Sequence, residues 1–176
     1  MSIAELETVV PPPVSVPAVD PVAWAKFEER LGTALPNDYK AFIDKYGFGL
    51  LGDFFSVLTP FSENPNANLA VQIERQLAAL REIGRSGDVS PYPFFPEPGG
   101  LMPFAGTDNG DVLHWLTEGQ PDEWRVVVTE SRGPDHEMYE TNMTGFLASI
   151  LSGSRRCAIF PDGLTRQFRS FSTRVV

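Results

Sequence analysis

Apolar residues recur with the period of a helix in four stretches of the chain. In the first stretch Trp24, Phe27 and Leu31 lie at i, i+3 and i+7, after an Asp-Pro start signal and before a glycine. The same pattern, with capping residues at its ends, predicts helices over residues 20–31, 36–46, 68–83 and 143–151. The apolar face of the second helix, which we expect to be buried, consists of Tyr39, Phe42, Ile43 and Tyr46.

Strand patterns fill much of the remaining chain. Two apolar runs, residues 101–107 and 111–117, flank Asn109 and Gly110, and an Asn-Gly pair in that position is the strongest short-range signal for a hairpin. Further strands are predicted over residues 50–59, 124–130 and 137–140. This order of helices and strands indicates an α+β fold, a single domain with a mixed or antiparallel sheet packed against several helices.

Composition divides the chain into three parts. Residues 1–19 include a proline-rich stretch, which lacks amide donors and favours extended conformations, so this head is predicted to be a flexible tail. Residues 20–152 hold the predicted α+β domain. Residues 153–176 form an arginine-rich extension, and we expect it to pack on the domain and to fold back along its acidic sheet.

The charge of the chain narrows the choice of partner. Its 176 residues include 14 Lys and Arg against 23 Asp and Glu, a net charge of -9, which argues against nucleic acids and membranes and favours a basic protein partner. Cys157 is the one cysteine, and neither a secretory leader nor a run of about 20 apolar residues is apparent. We therefore expect a cytoplasmic protein, whose oligomeric state the sequence does not indicate.

The clearest functional pattern is an acidic stretch with embedded tryptophans. Residues 108–140 hold nine acids and two arginines, and aromatic anchors surrounded by charge are typical of protein interfaces. The alternative is a solvated rim that keeps the protein soluble, with Trp115 in the core. The predicted partner-binding residues are Asp108, Asp111, Trp115, Glu118, Asp122, Glu123 and Trp124.

Catalytic and metal chemistry have little support in the sequence. His114 and His136 could act as general bases, but neither has the spacing to a second His or Cys that a metal site needs, and we interpret them as core and loop residues. No phosphate-binding loop, Gly-x-Ser-x-Gly nucleophile elbow or dinucleotide-binding fingerprint occurs. We therefore predict no catalytic residue, no metal and no cofactor.

Two motifs carry a resemblance to a known family. Around the second helix, Leu31 and Gly32 precede a Leu-Pro-x-Asp-Tyr start at residues 35–39, and a glycine-rich end follows at residues 47–49. Around the hairpin, residues 103–111 read Pro-Phe-Ala-Gly-Thr-Asp-Asn-Gly-Asp and lead to Leu113 and Trp115. Together with the helix over residues 143–151, these motifs resemble the SUKH superfamily over about residues 20–152.

The resemblance implies an α+β fold and a binding function. The superfamily contains fungal regulators of cell-wall synthesis and, more numerously, bacterial immunity proteins that neutralise toxins, often nucleases. For this chain it implies an immunity protein that occludes the basic active-site surface of a cognate toxin. The alternatives are a regulatory scaffold, with the proline-rich head as a recruitment tail, and a small hydrolase that uses His114.

Overall fold

The structure, a computed structural model, describes residues 3–86, 91–162, 164 and 170–172. The helices are α1 (Ile3–Val9), α2 (Pro21–Leu31), α3 (Asn37–Tyr46), α4 (Leu69–Ser86) and α5 (Met143–Ser152). The strands are β1 (Leu50–Leu51), β2 (Phe55–Val57), β3 (Leu101–Thr107), β4 (Val112–Leu116), β5 (Arg125–Thr129), β6 (His136–Tyr139) and β7 (Phe171–Ser172). Helices α2 to α5 begin within one residue of their predicted starts.

Side-chain caps mark the starts of α2 and α5. Asp20 Oδ1 accepts a hydrogen bond from Val22 N at 2.9 Å, and Asn142 Oδ1 accepts one from Gly145 N at 3.1 Å. Each bond satisfies an amide that has no partner within its helix. Helix α2 ends at Gly32, whose φ of 78° lies in the left-handed region that glycine adopts without strain.

The strands form a single antiparallel sheet in the order β6-β5-β4-β3-β2-β1-β7. The predicted α+β domain is therefore confirmed. The Asn-Gly hairpin joins β3 to β4, and Gly110 takes a φ of 91° in its turn. Such a conformation is costly for a residue with a Cβ atom.

The prediction of one strand over residues 50–59 is wrong, because the chain reverses inside it. Gly52 and Asp53 have φ of 63° and 48°, and this turn separates β1 from β2, which pair with each other. Phe54, within the turn, is only 6% exposed. The run of apolar residues thus continues through the turn and conceals it in the sequence.

Helices cover both faces of the sheet. Trp115 points to the face that carries α3, where its ring centroid lies 4.9 Å from that of Tyr39. His114, one residue earlier, points to the opposite face, where its Nε2 lies 2.7 Å from the amide nitrogen of Gln76 in α4. The predicted core face of α3 is at most 1% exposed and consists of Tyr39, Phe42, Ile43 and Tyr46.

Helix α1 and Val10 pack in the core, so the prediction of a flexible tail does not hold for residues 3–10 of the N-terminal head. Helix α1 buries Leu6 completely, and Val10 follows it into the core. Tyr46 Oη donates a hydrogen bond to the Val10 carbonyl at 2.6 Å, and Lys45 forms an ion pair with Glu7.

The described part of the C-terminal extension packs against the domain. Cys157, Phe160 and Leu164 are buried, and β7 pairs with β1 at the sheet edge opposite β6. The guanidinium of Arg155 lies 5.4 Å from the ring centroid of Tyr139 in β6. Strand β7 therefore does not lie along the acidic strands, while Arg155 does contact one of them.

Candidate partner-binding surfaces

The acidic residues predicted to bind a partner lie at two opposite ends of β4. Asp108 and Asp111 belong to the β3–β4 turn, which together with the β5–β6 turn (residues 130–135) we name the turn end of the sheet. The connection between β4 and β5, residues 117–124, forms the other end, which we name the loop end. Six strand steps of about 3.3 Å separate positions 111 and 117, so the two groups lie roughly 20 Å apart.

Three of the seven predicted contact residues are inaccessible to a partner that docks on the folded domain. Trp115 is 0%, Asp111 3% and Trp124 4% exposed. The Trp115 ring centroid lies 5.0 Å from that of Phe104 and 6.0 Å from that of Trp124. Both tryptophans are core residues, because strand alternation turns Trp115 towards the helices. The interpretation of them as interface anchors is corrected accordingly.

Buried Asp111 joins the two turns of the turn end. Its carboxylate accepts hydrogen bonds from Thr107 Oγ1 at 3.0 Å and from Ser131 N at 3.1 Å. Ser131 Oγ also donates to the Asn109 carbonyl at 3.0 Å. These bonds hold the β3–β4 and β5–β6 turns side by side, so Asp111 has a structural role.

The carboxylates of the loop end have partners inside the protein. Asp122 accepts hydrogen bonds from both the backbone and the side-chain nitrogen of Asn37, at 2.6 and 2.7 Å, where α3 begins. Glu123 accepts one from Gln120 N at 3.0 Å, and Glu118 forms an ion pair with Arg125. A negative charge at the start of a helix is favourable, so Asp122 stabilises the fold.

Asp38 connects α3 to α5, a role that its place in the Leu-Pro-x-Asp-Tyr motif did not reveal. Its Oδ2 accepts hydrogen bonds from Thr144 N at 2.9 Å and from Thr144 Oγ1 at 3.1 Å, in the first turn of α5. Burial raises the pKa of the Asp38 carboxyl, and the bonds from Thr144 oppose that rise. The motif therefore specifies helix packing.

The turn end carries the acidic side chains that are most available to a partner. Asp108 and Asp135 are exposed, and Glu130 is partly exposed. Within the described residues, the carboxylates of Asp108 and Asp135 form neither an ion pair nor a hydrogen bond. Of the predicted residues, Asp108 lies at the turn end, whereas Glu118, Asp122 and Glu123 are exposed but have internal partners. Glu130 and Asp135 belong to the acidic stretch but are not among the predicted contact residues.

A groove of about 1110 Å³ lies between α4 and the adjacent sheet face. Its floor includes Gly106, Val112 and Thr129, and α4 contributes Gln72 and Gln76 to its wall. Sequence reasoning missed this groove, because its floor is assembled from five strands that are far apart in the chain.

His114 lines the groove and is 2% exposed. Burial lowers the pKa of its imidazole to about 3, outweighing the nearby carbonyls of Val127 and Val112, which favour protonation. Gln76 Nε2 can only donate, so His114 Nε2 accepts and the proton lies on Nδ1, which makes no hydrogen bond of good geometry within the described structure. Among the described residues, no carboxylate forms a hydrogen bond with this ring.

The described residues contain no group of three or more His, Cys, Asp or Glu side chains arranged to hold a metal ion. Burial raises the pKa of the Cys157 thiol, which is the opposite of what activates a nucleophile. None of the described helices has the length and apolar character needed to cross a membrane.

The fold and these surfaces define an α+β domain with an accessible acidic turn end and a groove on one sheet face. The family model SUKH_6, described as SMI1-KNR4 cell-wall, matches residues 22–147. The chain therefore belongs to this family within the SUKH superfamily. Membership supports an immunity or regulatory protein in general, and the family is generally non-catalytic. No curated protein and no solved structure matches the chain significantly.

Proposed function

We propose that this protein is a non-catalytic, intracellular immunity protein that neutralises a cognate toxin by covering the toxin's basic active-site surface. The observation that carries the proposal is the turn end, where Asp108 and Asp135 present exposed carboxylates without partners in the described structure. The net charge of -9 adds a long-range attraction for a cationic protein. A nuclease toxin has a cationic cleft for the phosphate backbone, which these carboxylates would complement.

Steering by exposed charges affects the rate of association more than the rate of dissociation. At physiological ionic strength such charges are screened beyond about 8 Å, so association slows as salt rises. Glu118 and Asp122 already have internal partners, so they contribute less than Asp108 and Asp135. The binding energy itself comes from contacts that form after the encounter.

The test begins with a search for a toxin-like protein encoded beside this gene, and any such protein is then expressed with and without the proposed immunity protein. Growth rescue and inhibition of the purified toxin's activity are the expected results. Association kinetics are then measured for a double variant, Asp108→Lys with Asp135→Lys. It should associate about tenfold more slowly than the wild type at low salt.

The matched control makes the same change in net charge elsewhere. Glu29→Lys with Glu63→Lys alters two exposed carboxylates outside the turn end and should slow association far less. Equal slowing in both variants would mean that only net charge matters. An association rate that changes neither with salt nor in either double variant would contradict the proposal.

A regulatory adaptor is the second candidate, favoured by one observation. Val14 is fully exposed in the proline-rich segment between α1 and α2, although Val10 before it is buried and Val19 after it packs on the core. An extended segment held at both ends is a suitable recruitment site. If this candidate is correct, Val14→Asp abolishes partner recruitment, whereas toxin neutralisation through the turn end is unaffected by that substitution.

A further inference from the structure

A single row of side chains crosses five strands on the floor of the groove. The pairing register places these residues opposite one another in turn: Ser56, Gly106, Val112, Thr129 and His136. All of them line the groove, and we name this row the trough. Most of its side chains are small, and a Cβ atom added at Gly106 would meet only the Asp111 carbonyl oxygen, at 3.8 Å. Among the residues that the structure describes, the space above Gly106 is therefore open.

The dimensions of the trough suit an extended peptide. Four strand spacings of about 4.8 Å make it roughly 19 Å long, the length of about six extended residues. Its polar lining can bind peptide groups, because Ser56, Thr129 and Gln72 all carry hydrogen-bonding side chains. His114, in the same strand as Val112, adds a buried ring to the floor, where Gln76 of the wall holds its Nε2.

The β6 end of the trough adjoins a second pocket that favours a cation. This pocket, of about 360 Å³, is lined by the carboxylates of Glu130, Asp135 and Glu137 and by the apolar side chains of Pro134 and Ile159. Its other lining residues are His136, which also belongs to the trough, and Ala158. A Lys or Arg side chain matches it, because the aliphatic stem packs on apolar groups while the charged head reaches the carboxylates.

The charged groups around the acidic pocket differ in their availability to a ligand. Glu137 already accepts hydrogen bonds from Ala158 N and from Tyr139 Oη, which leaves Glu130 and Asp135 for a ligand. Arg132 lines the groove but not the acidic pocket. On the wall formed by α4, Arg75 donates to Asn66 Oδ1 at 2.8 Å and places a positive charge away from the acidic pocket.

We infer that the trough binds an extended segment of a partner protein, which places a Lys or Arg side chain in the acidic pocket at the β6 end. This inference rests on the proposed function for the nature of the partner and assigns the part of that partner that docks. Small side chains of the segment lie over Gly106 and Val112, and its peptide groups bond to the polar lining. The basic residue fixes the direction in which the segment lies.

The test uses the full chain and a phage-displayed library of random peptides about seven residues long. We expect enrichment of sequences with Lys or Arg near one end and small residues beside it. Replacing that Lys or Arg by Gln in an enriched peptide should weaken binding to the wild-type protein at least about tenfold. Enrichment without a basic residue, or no enrichment at all, would overturn the inference.

Two variants of the protein locate the peptide. Gly106→Leu fills the trough, whereas Ala25→Leu adds the same side chain to an exposed position on α2. Gly106→Leu should weaken peptide binding at least about tenfold and Ala25→Leu less than about twofold. Equal binding by a folded Gly106→Leu variant would refute the site. If that variant does not fold, replacing the Lys or Arg of the peptide by Gln still tests the inference, because that experiment uses the wild-type protein.

The same variants separate this inference from the proposed function. If peptides bind the trough but no toxin is neutralised, the trough is a peptide site and the toxin role fails. If Gly106→Leu neutralises the toxin as well as the wild type does, the toxin role stands and the docking site is elsewhere.

Discussion

His114 makes stability depend on pH in a direction that can be calculated. Burial lowers the pKa of its imidazole to about 3 in the folded protein, against 6.5 for the unfolded chain. Below pH 6.5 the His114 imidazole therefore binds a proton in the unfolded state but stays neutral in the native state. The stabilisation is fully present above pH 6.5 and is lost as pH falls from 6.5 towards 3.

The magnitude follows from the two pKa values. Each pH unit below 6.5 costs about 1.4 kcal/mol, so the free energy of unfolding should be lower by about 3 kcal/mol at pH 4.5 than at pH 7.5 from His114 alone. Urea unfolding at both pH values measures the total change. The variant His114→Gln keeps a hydrogen-bonding side chain near Gln76 but cannot titrate.

The comparison between variants isolates this contribution from those of the carboxylates. Between pH 7.5 and pH 4.5, the free energy of unfolding of His114→Gln should fall by about 3 kcal/mol less than that of the wild type. The control is His136→Gln, which removes the other histidine, a side chain exposed to water. If the free energy of unfolding depends on pH equally in the wild type and in His114→Gln, burial does not hold the ring neutral, and His114 is not buried in the groove floor.

Three further predictions concern the core and the cysteine. Phe42→Ala, at a position that is 0% exposed, should lower the free energy of unfolding by about 3 to 5 kcal/mol in urea denaturation. Asp38→Ala should cost about 1 to 3 kcal/mol in the same assay, because it leaves the Thr144 amide and hydroxyl without an acceptor, and a neutral effect would contradict the link between α3 and α5. The Cys157 thiol, 2% exposed, should react with a disulfide reagent slowly in the native protein and rapidly in denaturant, and rapid native labelling would show that it is accessible.

Helices α2 to α5 were predictable because their signals are local. The Asp-Pro start of α2, the glycine after it and the Asn142 cap of α5 each act within one turn, and the structure uses them as expected. The turn between β1 and β2 was not predictable from apolar periodicity, since Phe54 continues the pattern while Asp53 reverses the chain. In the N-terminal head, tertiary packing of Leu6 outweighed the composition of the following prolines.

The candidate site depends on register, which the sequence specifies only through the completed sheet. In an antiparallel meander, a continuous acidic stretch is distributed alternately between the two ends of the strands, so neighbours in sequence such as Asp111 and Glu118 are far apart. Residues as distant as Ser56 and His136 are brought into one row instead. A one-residue slip in β4 would exchange Trp115 and His114 between faces and remove the row. The burial that makes Trp115 unavailable to a partner therefore also fixes the register on which the trough depends.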